Sequence, residues 1–160
     1  MNLEIRNWPH FAIEMLSILL LVCCLLPLLK IGQLDGAAVP THYDAAGQVD
    51  RTGSSDDMAA LPLLALIMFA VLTVAEKVPK LMNAPKKLSE NGKAYLQANS
   101  WKYAREIKLC IMALMTYITY WTYSIAAGKA DGMPQWGLIV SVGALLAVTI
   151  RFYYRLYNYN

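Results

Sequence analysis

Polar positions in this chain are gathered into a few stretches, and between them run apolar segments too long for the core of a small soluble domain. The first run covers residues 11–29 and is interrupted only by Glu14 and Ser17. The second covers 59–75, extends to residue 78 and stops before Pro79, with Pro62 in its first turn, where a missing N–H costs nothing. From Lys93 to Ala127 no Gly or Pro interrupts the chain, which predicts one helix of about 50 Å, longer than the roughly 30 Å hydrocarbon core of a bilayer. Its apolar part, 107–127, carries Tyr117, Tyr120, Trp121 and Ser124 at spacings of three and four, a stripe suited to helix packing or an interface, or to lining a ligand. The fourth run, 135–150, holds Gly137 with Ser141 and Gly143 with Ala147, small residues that let helices approach closely and offer a face for an oligomer.

These runs predict an all-α integral membrane protein. Four transmembrane helices form a single membrane domain over residues 1–160, with a short outward-facing hairpin loop between helices 1 and 2. Within it, 15–75 holds helix 1, the loop and helix 2; 76–106 is a basic cytoplasmic segment; 107–150 holds helices 3 and 4. Composition agrees, since 58% of the 160 residues are hydrophobic and 16% charged, against about a quarter charged in soluble domains. The Lys30–Met58 loop sets Lys30 and Arg51 against Asp35, Asp44, Asp50, Asp56 and Asp57. The 76–106 segment sets Lys77, Lys80, Lys86, Lys87, Lys93, Lys102 and Arg105 against Glu76, Glu90 and Glu106. Lysine and arginine stay on the cytoplasmic side, so the first loop faces outward and both termini are cytoplasmic. Turns are expected at Asn83-Ala84-Pro85 and near Ser89, and the closing Arg151 to Tyr157 stretch reads as a basic, aromatic belt. Glu14 lies one turn after His10 and either pairs with it or snorkels to the interface. Cys23, Cys24 and Cys110 read as small buried hydrophobes.

Candidate chemistry concentrates in the first loop. Pro40 fixes the entry, and Asp44 with Gly47 three residues on predicts a type I turn whose Asp side chain bonds its own backbone. A hairpin follows, Thr41 to Tyr43 facing Gln48 to Asp50, with His42 across from Val49 and with Tyr43 and Asp50 on the other face. His42, Asp44 and Asp50 are the ligand-type side chains of the outer loop and the candidates for a metal. Their spacing, H-x-D-x5-D, matches no established metal signature; a turn cap at Asp44, a partner for Arg51 at Asp50 and an ordinary loop histidine account for the same residues. No phosphate-binding glycine loop is present, no cofactor and no nucleic-acid partner are expected, and the second histidine, His10, lies across the membrane. The basic segment suits anionic headgroups as well as setting topology.

An apolar helix followed by Pro40, Thr41, His42, Tyr43, Asp44, Gly47 and Asp50, then a second helix, resembles the bacterial membrane family of domain of unknown function 1648, which also forms the N-terminal part of SdpI-type immunity proteins. The likeness covers about residues 15–75, and Asn83-Ala84-Pro85 and Asn91 resemble the inner loop of four-helix members. Asp44 stands where many relatives have Asn, and Ser54-Ser55-Asp56 lacks a Lys that often closes the motif. The resemblance implies a bacterial inner-membrane protein of the SdpI-like group, with the loop from Pro40 through Arg51 binding a peptide or membrane-protein partner in immunity or sensing. A metal-dependent enzyme built on His42, Asp44 and Asp50, and an accessory transport protein, are the alternatives. The transport reading requires polar groups at mid-membrane, where the helix centres offer hydroxyls and thiols.

Overall fold

The computed structural model describes residues 8–78 and 88–159. Helix α1 (Trp8–Leu25) passes at Pro27 into a 3-10 segment (Leu26–Leu34), because proline removes one N–H from the ladder and the chain tightens around it. Strands β1 (Val39–Tyr43) and β2 (Val49–Gly53) follow, then a 3-10 turn (Ser55–Ala59) that feeds helix α2 (Ala60–Lys77). Ser54 and Asp57 make the reciprocal capping pair that starts this turn, with Asp57 Oδ2 accepting from the Ser54 amide at 2.7 Å. Helix α3 runs unbroken over Glu90–Ala126, capped by Ser89, whose Oγ accepts from the Gly92 amide at 3.1 Å. Helix α4 (Gln135–Asn158) continues past the expected end at residue 150, so the Arg151 to Tyr157 belt is helical. Pro79, Lys80, Lys86, Lys87 and the turn expected at Asn83-Ala84-Pro85 lie outside the described residues.

All four helices are long and apolar enough to cross a membrane, the architecture of a multi-pass membrane protein. Large apolar side chains such as Leu19, Ile67, Val71, Ile139 and Leu146 point away from the bundle, as a lipid-facing surface requires. Helix α3 is the spine: α1, α2 and α4 each pack chiefly on it. Leu21 and Cys24 of α1, Ala65 of α2 and Met112 of α3 form the middle core, and Thr116 Oγ1 crosses to the Leu20 carbonyl at 2.9 Å. Such hydroxyl contacts hold helices together where lipid removes the hydrophobic drive between them. Only Cys24 of the three cysteines is buried, its Sγ 3.3 Å from Thr119 Oγ1; Cys23 lies exposed on the bundle surface.

The small residues of α4 divide. The Tyr117 ring lies against Gly137, where a β-carbon would come within 2.2 Å of it, so that position is used inside the chain. Gly143 has open space around it.

Candidate functional site

The hairpin is built from the chain's own turn chemistry and then bolted to α3. Asp44 Oδ1 accepts from the amides of Ala46 and Gln48, both at 2.8 Å, and the Gly47 amide donates to the Asp44 carbonyl at 3.0 Å. Gly47 has φ of +75°, a left-handed conformation that costs glycine nothing. The ladder is longer than the sequence suggested and its register differs. Tyr43 pairs with Val49, His42 with Arg51, Pro40 with Thr52 and Val39 with Gly53. Asp50 is an extra residue on β2 and Thr41 an extra one on β1, beside a proline that cannot donate to the ladder. The irregularity at Asp50 carries its carboxylate round to His42, so the two meet at 2.7 Å (Nδ1 to Oδ1) instead of lying on opposite faces.

Three contacts fix the hairpin from behind. Tyr43 Oη and Thr122 Oγ1 of α3 are 2.8 Å apart; the Met133 amide donates to the Gly47 carbonyl at 2.9 Å; and Gln135 Nε2 donates to the Ala45 carbonyl. Gly47 lies so close that a β-carbon there would stand 2.1 Å from the Met133 carbonyl oxygen. Beneath, Leu34, Val39 and Met58 form a small core with Tyr123 and Ala126 of α3. Burial pushes the Tyr43 phenol pKa up, only partly offset by its bond to Thr122, so the hydroxyl stays neutral. In front, Thr41, His42, Tyr43 and Asp57 share a cleft of about 430 Å³ with Ile118, Thr122 and Leu138.

Pro40, Thr41, His42 and Tyr43 therefore line one cleft, whereas Asp44 and Gly47 build the turn and Arg51 stands exposed on β2. The three metal candidates separate: His42 and Asp50 are engaged with each other, and Asp44 is turned into its own loop. Among the described residues no group of three His, Cys, Asp or Glu side chains comes together as metal ligands would.

At the other end of α3 the structure holds a constellation that sequence reasoning missed. Lys108 is fully buried, its Nζ 2.7 Å from Glu14 Oε1 and 3.2 Å from Thr73 Oγ1, with Glu76 Oε1 also in contact. It stands 4.7 Å from the Phe69 ring centroid. Arg105, one turn away, holds Glu76 Oε2 at 2.9 Å through Nε and reaches Glu14 Oε2 at 3.6 Å, an ionic contact too long for a hydrogen bond. Glu14 thus neither pairs with His10 nor snorkels; it binds two bases from α3, while His10 lies edge-on to Trp101 with its Nδ1 unpartnered. The helix interior accordingly offers more than hydroxyls and thiols. The cluster lies 18 residues below Ala126, about 27 Å along α3, at the edge of a bilayer core about 30 Å thick. Its sequence signature was available: an acid inside the first apolar run, another at the end of the second, and two bases at i, i+3 entering the third.

Fold and sites together define a four-helix membrane bundle with a hairpin platform at one end and a closed ionic knot at the other. No family model, curated protein or solved structure matches the chain.

Proposed function

We propose that this chain is a non-enzymatic protein of the SdpI-like group in a bacterial inner membrane, with both termini cytoplasmic. Its outward hairpin binds a peptide or the exposed segment of a membrane-protein partner in envelope immunity or sensing. The observation that carries the reading is the cleft in front of the hairpin, whose back wall is rigid at Tyr43, Gly47 and Met133 while Thr41 and His42 remain exposed in front. A preformed cleft with a few polar groups on an apolar floor binds without spending binding energy on ordering itself. The Asp44, Asp50, Asp56 and Asp57 carboxylates give that end an acidic character suited to a cationic, membrane-active peptide.

The test is survival of bacteria expressing the chain when challenged with cationic membrane-active peptides, alongside crosslinking from a photoreactive residue at Thr41. Protection that Gly47→Val and His42→Ala both reduce, with the peptide captured at Thr41, is the expected result. Normal protection in both variants, or none in the parent, would sink the reading. Orientation is checked with an impermeant thiol reagent in a background without native cysteines. Thr52→Cys should react in intact cells and Lys93→Cys should not; the reverse pattern inverts the topology.

A further inference from the structure

A second cleft lies at the far end of the bundle, between α3 and α4, and its chemistry is that of a phosphate site. It encloses about 160 Å³. At about 30 Å³ per water that is space for roughly five waters, enough for one tetrahedral oxyanion. Lys102 of α3 and Arg151 and Arg155 of α4 line it, with Glu106 as the single carboxylate. Glu106 is taken by Arg151. Lys102 Nζ spends one of its three donors on Asn99 Oδ1 at 3.0 Å, and Arg155 has no ion-pair partner among the described residues. Two cationic groups are thus left uncompensated around one small cleft, whereas Lys93 and the bases of the ionic knot each have a carboxylate. His10 also lines the cleft, and its Nδ1 has no hydrogen-bond partner. The floor is rigid: the Tyr103 and Phe152 rings stack at 4.2 Å, above buried Leu156.

Depth singles out the ligand. Lys102 lies 24 residues below Ala126, about 36 Å along α3, and Arg155 lies 20 residues below Gln135, about 30 Å along α4. Both therefore reach the level just outside a roughly 30 Å hydrocarbon core, where lipid phosphates lie. We infer that Lys102, Arg151 and Arg155 hold a phosphate at this cleft, as the headgroup of an anionic phospholipid or as a soluble phosphate anion. The inference does not depend on what the hairpin binds. Arginine supplies the paired donors that match a phosphate's oxygens, and lysine adds a compact charge.

Native mass spectrometry of the full chain, delipidated and titrated with phosphatidylglycerol or phosphatidylcholine, tests it, with inorganic phosphate as competitor. The expected result is preferential retention of phosphatidylglycerol, reduced about fivefold by Arg155→Gln and further by Arg155→Gln with Lys102→Gln, and unchanged by Lys129→Gln at the hairpin end. Displacement by inorganic phosphate identifies the bare anion as sufficient; retention in its presence identifies the lipid headgroup. Arg155→Lys should restore part of the preference, which separates loss of charge from loss of fold. Equal retention of the two lipids by the parent, or an unchanged preference in the folded double variant, would overturn the site.

Discussion

The two ends of α3 are secured by opposite means. At the hairpin end the contacts are between neutral groups: a phenol on a threonine, a glycine carbonyl on a backbone amide, an amide side chain on a carbonyl. At the knot, two carboxylates and two bases from three helices meet with one member wholly buried. Neutral hydrogen bonds contribute about 1 kcal/mol each and tolerate partial loss, because water at the surface replaces the missing partner. Buried ions behave differently. Their desolvation is offset only while the set is complete, so the knot is strong as a unit and fragile to the loss of any member. The platform can therefore vary around its ligand while the knot fixes α1, α2 and α3 against one another.

The sharpest break in that comparison is Lys108→Met. It leaves Glu14 without its nearest base and Glu76 with Arg105 alone, and we expect a loss of about 3–5 kcal/mol, read as a large fall in thermal stability in detergent or as failure to accumulate. Adding Glu14→Gln should recover much of it, since Glu76 and Arg105 then remain as a matched pair. If the double variant is as unstable as the sum of the singles, the four groups do not act as a unit.

Gly47 gives the next largest effect and separates two causes that the sequence alone merges. Turn strain predicts that Gly47→Val is worse than Gly47→Ala. The structure adds that any β-carbon meets the Met133 carbonyl, so both variants should cost about 2 kcal/mol or more and undock the hairpin. Protease access to the hairpin loop in each variant checks this; an alanine variant as protected as the parent would leave strain as the sole cause. Tyr43→Phe should cost about 1–2 kcal/mol, because it leaves the buried Thr122 hydroxyl without its partner. With the phenol's pKa raised by burial, the unfolded chain loses that proton first as pH climbs past about 10. Stability should therefore fall above that pH in the parent and less so in Tyr43→Phe.

What could be read from the sequence follows the same division. The four spans, the unbroken α3 and the turn at Asp44 and Gly47 depend on near neighbours, through apolar run length, the absence of Gly or Pro, and an Asp that bonds its own loop. The strand register escaped because an extra residue at Asp50 and another at Thr41 shift it, and neither residue type announces a bulge. The knot escaped because its members are 94 and 32 positions apart, from Glu14 and Glu76 to Lys108. Each taken alone resembles an ordinary interfacial charge; only their common depth and opposite sign, three runs compared at once, would have joined them. The clash behind Gly47 was hidden for the same reason, since it depends on where the α3 to α4 connection returns.

The smallest expected effect on stability is the most informative about function. His42 and Asp50 make a 2.7 Å pair, but their side chains are 59% and 46% exposed, and such pairs contribute about 0–1 kcal/mol. His42→Ala should therefore leave thermal stability and expression close to the parent, in contrast to Lys108→Met, although both remove one partner of an ion pair. Any phenotype it shows is then a binding phenotype. Since His42 lines the cleft and carries no structural burden, its loss should weaken peptide capture at Thr41 and protection in cells by several-fold while the hairpin stays docked. Asp50→Asn is the companion variant, because it keeps the shape and the hydrogen bond to His42 but removes the charge. If the cleft selects cationic peptides, Asp50→Asn should lower capture of those peptides and leave neutral ones unaffected. A His42→Ala protein as unstable as Lys108→Met would place the pair among the supports of the fold, and the distinction between a fixed end and a binding end would fail there.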